Sequence, residues 1–119
     1  MNKKILLVED DPLLIDIYTT KLRNEGFEIA VATDGEEALA KYKEFVPDLI
    51  ILDIVLPNND GWEVLKQIKS QPNSPKIIIL SNLSQKEEVE KGLRLGADMY
   101  LIKSEYTPTE VVEKIKTLL

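Results

Sequence analysis

Neither cysteine nor histidine occurs anywhere in the 119 residues. The first absence excludes disulfides, thiolate catalysis and cysteine-based metal sites. The second removes Ser-His-Asp catalysis, ordinary zinc sites and any phosphohistidine carried by the chain itself. Long apolar runs are missing too, and nothing approaches the roughly 20 residues needed to cross a bilayer. Met1-Asn2-Lys3-Lys4 leads into only four apolar residues before Glu9, too few for a signal-peptide core, so a cytoplasmic protein is expected. Basic charge is in the minority, with 15 Lys and Arg against 21 Asp and Glu. The resulting net charge of −6 argues against independent DNA or RNA binding, which needs a basic face. An acidic balance by itself serves solubility and names no partner.

Carboxylates, hydroxyls and lysines are left for chemistry. The length and a hydrophobic content of 44% predict one domain, residues 1–119, able to bury a core without staples. Five short apolar runs recur: Ile5–Val8, Ile29–Ala32, Leu49–Leu52, Ile77–Leu80 and Met99–Ile102. Several are continuous rather than alternating, which suits parallel strands covered on both faces.

Between the runs lie segments of helical period with start signals. The first helix should begin at Asp11 with Pro12 in its first turn, bury Leu14, Ile17, Tyr18 and Leu22, and end before Gly26. Asp34 with Glu37, and Asp60 with Glu63, resemble capping boxes with aspartate as the cap. Ser84 with Glu87 and Thr107 with Glu110 fit the Ser/Thr form. Five alternations of strand and helix predict a doubly wound α/β, flavodoxin-like fold with a parallel sheet ordered 2-1-3-4-5.

Ligands of such sheets bind beyond the carboxyl ends of the strands. Glu9, Asp10 and Asp11 follow the first strand, Asp53 ends the third, Ser81 the fourth and Lys103 the fifth. Singly, each has a plain structural reading: Asp11 as a helix cap, Ser81 as a loop hydroxyl, Lys103 as a solvated lysine. Glu9, Asp10 and Asp53 together resist it. Adjacent strands lie about 4.8 Å apart, and carboxylates that close repel unless one protonates or a cation intervenes. A hard ion such as Mg²⁺ suits one or two carboxylates plus waters and phosphate. A nucleotide-binding domain would instead need a Gly- or Ser/Thr-rich loop after the first strand, where Glu-Asp-Asp-Pro repels a bare anion. Phosphoryl transfer to an aspartate side chain is the reaction suggested, with Lys103 pairing a phosphoryl oxygen and Ser81 offering its hydroxyl to another.

The runs Ile5–Asp11, Pro47–Pro57 with Asp60-Gly61, Ser81, and Gly96–Lys103 resemble the receiver domain of two-component response regulators, over the whole chain. The resemblance implies that Asp53 is phosphorylated. It implies that Asp10 and Asp53 bind Mg²⁺ directly with the Val55 carbonyl, and that Glu9 acts largely through water. It makes Ser81 the switch hydroxyl, Lys103 the phosphate-pairing lysine and Tyr100 the aromatic that reorients on activation. The phosphoryl donor implied is a sensor histidine kinase or phosphotransfer protein. One departure stands out: the family usually follows its lysine with a proline in a cis peptide, whereas Ser104 follows here. A cis bond before a non-proline residue costs about 2.5–4 kcal/mol, so a trans peptide is expected.

These readings add up to a phosphoacceptor switch, not a classical enzyme, apparently stand-alone, monomeric or weakly dimeric, that docks to a downstream protein. A receiver-fold interaction module that is never phosphorylated is the alternative, and the intact set Glu9, Asp10, Asp53, Ser81 and Lys103 speaks against it. An aspartate-nucleophile phosphatase would want a second acid where Val55 stands. Leu13 and Ile15 flank the buried stripe of the first helix, as edge packing or as part of a kinase-docking face. Val55 and Leu83 occupy the family positions that flank the approach of a hydrolytic water, and neither can orient one, so a long-lived phosphoryl group is expected. Asn82, between Ser81 and Leu83, is the one neighbour with an amide to offer.

Overall fold

Parallel strands β1 Lys4–Val8, β2 Glu28–Ala32, β3 Leu49–Leu52, β4 Lys76–Ser81 and β5 Met99–Ile102 form one sheet in the order β2-β1-β3-β4-β5. The computed structural model describes residues 2–57 and 61–119. Among them the helices are α1 Pro12–Asn24, α2 Gly35–Phe45, α3 Gly61–Lys69, α4 Lys86–Arg94 and α5 Pro108–Leu118. The architecture and strand order are those expected from the alternation of runs.

The continuous apolar runs are explained by two cores, one on each face of the sheet. Leu7, Ile51 and Ile78 lie in register across three strands and pack with Tyr18 and Leu22 of α1 and Val111 and Ile115 of α5. Their neighbours Leu6, Ile50 and Ile77 point the other way, onto Ala38 of α2 and Val64, Leu65 and Ile68 of α3. A strand covered twice has no polar face to show, and β3 is buried at all four positions. Each such side chain contributes about 1.5–3 kcal/mol of transfer free energy.

Helix starts follow the cap residues closely. Asp11 accepts from the Leu13 amide at 2.9 Å, Asp34 from the Glu37 amide at 2.8 Å, and Thr107 from the Glu110 amide at 3.2 Å. Glu110 accepts in turn from the Thr107 amide, completing the expected box at α5. Two boxes differ from expectation. Glu37 returns to the Thr33 amide at 2.7 Å instead of to Asp34, one residue further out. α4 starts one residue late: its cap is Gln85, whose amide donates to Glu88, so Ser84 and Glu87 do not form the box. The run Lys86-Glu87-Glu88 offers acids at both registers, and the structure adopts the later one. The expected cap Asp60 lies outside the described residues. On α1, Tyr18 and Leu22 are buried, Leu14 and Ile17 only half-buried, and Thr19 is unexpectedly buried, satisfied by the Ile15 carbonyl at 2.7 Å.

Gly92 is the one buried residue of α4. A Cβ there would stand 2.7 Å from Ile79 Cδ1 and 2.9 Å from the Tyr100 ring, so its missing side chain lets α4 lie directly on β4 and β5. The Lys103–Ser104 peptide is trans, as no cis bond occurs among the described residues.

Val46, just past α2, adopts φ 51° and ψ 64° and is 69% exposed. A β-branched side chain in the left-handed region is crowded against its own backbone. Val46→Gly should therefore raise stability by about 0.5–1 kcal/mol after glycine's extra chain entropy is counted. Urea unfolding would measure it, and a destabilised variant would show that the valine makes a contact worth more than the strain.

Candidate functional site

Strand register assembles the site. Val8 pairs with Leu52, so Glu9 and Asp53 are each one residue beyond a paired position. Ser81 pairs with Ile102, so Lys103 stands one beyond its own strand at the same edge. The ladder continues far enough to fix the acids: the Glu9 amide donates to Ala32 O and the Asp53 amide to Val8 O, both at 3.0 Å. After Asp53 the chain folds back tightly. Gly61 donates to Ile54 O at 3.0 Å, and a Cβ on it would sit 2.5 Å from the Ile54 Cα.

Lys103 Nζ lies 2.7 Å from Glu9 Oε1 and 2.8 Å from Asp53 Oδ2. Both acids are almost wholly buried, Glu9 at 3% exposure and Asp53 at 5%. Glu9 Oε2 also accepts the Asp10 and Asp11 amides at 3.0 and 3.1 Å, and Asp53 Oδ1 accepts the Val55 amide at 3.1 Å. Every oxygen of this buried pair is thus held. Burial drives the Glu9 pKa up from its ordinary value of 4.5, against the lowering pull of Lys103 and the Asp11 amide. Burial also opposes the charge on Lys103, but its hydrogen bonds to Asp53 and Glu9 prevail and raise its pKa above 10.5.

Exposed Asp10 completes a triangle. One carboxylate oxygen from each of Glu9, Asp10 and Asp53 lies within 4.8 Å of the others. Three hard anionic donors at that spacing suit a small divalent cation better than they suit one another. An open pocket of about 400 Å³ faces these acids, lined also by Asp11, Val55, Ser81, Asn82 and Lys103. Ser81 is fully buried at its rear, with its hydroxyl oxygen accepting the Leu83 amide at 3.3 Å. Tyr100 reaches over the same loop and donates its hydroxyl to the Leu83 carbonyl at 2.7 Å.

Residues expected at the site from sequence are thereby brought to one edge, except that Tyr100 touches it only through the Ser81–Leu83 segment. Asp11 serves as the α1 cap, its plain structural reading. Two features escape a reading of the sequence: the direct Glu9–Lys103 pair, and the turn in which Asp53 accepts an amide two residues on. The second has a signal, since aspartates favour this turn.

A profile of the response regulator receiver domain matches residues 5–116. The chain belongs to the response regulator receiver family. This receiver is 40% identical over its whole length to the alkaline phosphatase synthesis transcriptional regulatory protein PhoP of Bacillus subtilis, of which it covers 49%. It therefore spans about half the length of the curated relatives it matches. Among solved structures, the CheY-like receiver domain protein of Methanospirillum hungatei superposes with TM-score 0.91 at 32% identity, over 98% of this receiver and 93% of that chain. The Mn(2+)-bound form of response regulator Rcp1 superposes with TM-score 0.84 at 30% identity, over 97% and 92% respectively. Among the described residues no helix is long and apolar enough to cross a membrane.

Removing the ammonium should strand two buried carboxylates. Lys103→Met is expected to lose roughly 2 kcal/mol at neutral pH, less than the 3–5 kcal/mol of a sealed pair because the pocket admits water. With Lys103 gone, Glu9 rises further above 4.5, so the native state takes up a proton that the unfolded state has lost. Stability then falls as pH rises through that window. The deficit of Lys103→Met relative to wild type should be small near pH 4 and grow toward neutrality, measured by urea unfolding in EDTA. A pH-independent deficit would mean that lost packing, not charge, is responsible.

Proposed function

We propose that Asp53 accepts a phosphoryl group from a sensor histidine kinase or phosphotransfer protein, and that the resulting acyl phosphate switches the receiver's binding surface toward a downstream protein. The observation that carries this is the Asp53 carboxylate itself: buried at the floor of an open pocket, tethered by Lys103 and the Val55 amide, and beside two further acids. In the transfer, the donor's P–N bond breaks as an Asp53 oxygen forms the new P–O bond, and the electron pair stays on the donor imidazole. Lys103 then exchanges a carboxylate for a phosphoryl oxygen, and Ser81 offers its hydroxyl proton to another.

Glu9, Asp10, Asp53 and the Val55 carbonyl would hold Mg²⁺, which when bound neutralises phosphoryl charge. The cluster of oxygens supports this, as does the existence of a Mn(2+)-bound form of the structurally similar Rcp1. On this reading the receiver promotes only its own phosphorylation and dephosphorylation. Its acidic surface supports action through proteins in the cytoplasm, without nucleic-acid contact by these 119 residues. Leu13, 66% exposed on α1, supports a kinase-facing role for that helix, while Ile15 is half-buried at its edge. A module that is never phosphorylated is not favoured, because it leaves the Lys103-bridged acids without a use.

Intact mass after incubation with Mg²⁺ and acetyl phosphate tests the reading. One phosphoryl group should appear on wild type and none on Asp53→Asn; equal uptake by the variant would put the acceptor elsewhere.

The phosphorylated state should be long-lived. Val55 is 59% exposed beside the pocket and Leu83 packs against the core, so neither can align a water opposite the Asp53 oxygen. Val55→Asn with Leu83→Gln is expected to speed decay by about tenfold, equivalent to about 1.4 kcal/mol of barrier. Monitoring the phosphoprotein after donor removal decides the matter. Wild type that decays in seconds, or a double variant that decays no faster, would sink the idea.

A further inference from the structure

The hydrogen-bonding groups around the pocket are nearly all committed. Glu9 and Asp53 are held by Lys103 and by backbone amides, Asp11 caps α1, and Ser81 accepts from Leu83 behind the pocket. Asn82 is different. It is the first residue beyond β4, it is exposed, and it lines the pocket with Asp53, Ser81 and Lys103. Among the described residues its carboxamide has no hydrogen-bond partner, and it brings two N–H donors and one acceptor without charge.

An uncommitted donor there matters because the pocket is so acidic. A phosphoryl group arriving on Asp53 carries its negative charge past Asp10 and Asp11, both exposed at the same opening. Lys103 and Ser81 address it from behind. At the mouth, Asn82 offers the spare neutral donor among the lining side chains. Its position is fixed by the strand: Ser81 pairs with Ile102, so Asn82 and Lys103 occupy equivalent places, one step past adjacent strands. Adjacent strands are about 4.8 Å apart, so the two side chains start from neighbouring backbone positions on the pocket wall, from which each can reach a different oxygen of one phosphoryl group.

We infer that the Asn82 carboxamide donates a hydrogen bond to a phosphoryl oxygen on Asp53, making Asn82 a phosphoryl-binding residue of this receiver. The inference rests on the Asp53 reading above and adds a residue to it. A donor aimed at the equatorial oxygens, where charge collects in a loose transition state, speeds transfer without entering the bond changes. The competing role, in which the amide oxygen accepts from a hydrolytic water, calls for an acceptor and not a donor.

The experiment compares wild type, Asn82→Ala and Asn82→Asp for phosphorylation by acetyl phosphate with Mg²⁺, for beryllofluoride affinity, and for melting temperature. Asn82→Ala should be phosphorylated about tenfold more slowly and bind beryllofluoride correspondingly less tightly. Asn82→Asp should be slower still, because it loses both donors and places a negative charge against the phosphoryl group. Melting temperatures should stay together, since the side chain is exposed. Asn82→Ala reacting at the wild-type rate, or Asn82→Asp reacting no more slowly than Asn82→Ala, would overturn the inference while leaving Asp53 as acceptor. Wild type that takes up neither phosphoryl nor beryllofluoride would overturn the Asp53 reading, and this one with it.

Discussion

One ammonium group makes the site possible. Glu9 and Asp53 are carboxylates withdrawn from water at the end of a sheet, and Lys103 stands between them with an ion pair to each. Charges taken out of water cost several kcal/mol each, and only close, well-satisfied geometry offsets that. The backbone supplies the rest of the satisfaction through the Asp10, Asp11 and Val55 amides. This constraint reaches into the fold. A slip of one residue in any of β1, β3 or β5 would turn an acid or the lysine into a core, so the sheet's register and the site's chemistry are the same requirement.

Much of this could be read from residues in order. The strands were legible because parallel strands covered twice cannot hide their composition: Leu49–Leu52 has no polar face to confuse with a loop. The site was legible because the end of a strand is a fixed place, and Glu9, Asp53, Ser81 and Lys103 all follow apolar runs directly. What escaped was conditional on packing. Ser84 and Gln85 offer nearly equivalent starts for α4, each with an acid three residues on, and the structure takes the second. Likewise the sequence places Lys103 at the site as a partner for phosphate, and only the three-dimensional arrangement shows it bridging Glu9 and Asp53. Thr19, a polar residue on the buried face of α1, is bearable because its hydroxyl bonds back to Ile15.

The opposite edge of the sheet is locked by a different device. Asp98 accepts the Ile77 amide at 2.8 Å and pairs with Lys69 at 3.2 Å, while Lys69 also donates to the Pro75 carbonyl. α3, β4 and β5 are therefore tied together at the end remote from the acids. At the site end, β5 and the loop after β4 are joined by softer means, chiefly the Tyr100 hydroxyl on Leu83. The sheet is thus tied at both ends, by Asp98 with Lys69 at the foot and by Lys103 with its two acids at the site.

α4 is joined to this frame by a short connection and a close seat. Only Asn82, Leu83 and Ser84 separate the end of β4 from the Gln85 cap, and Gly92 is the buried residue of the helix that follows. A Cβ at Gly92 would stand 2.7 Å from Ile79 Cδ1 and 2.9 Å from the Tyr100 ring, so any larger residue there must displace those side chains or lift the helix.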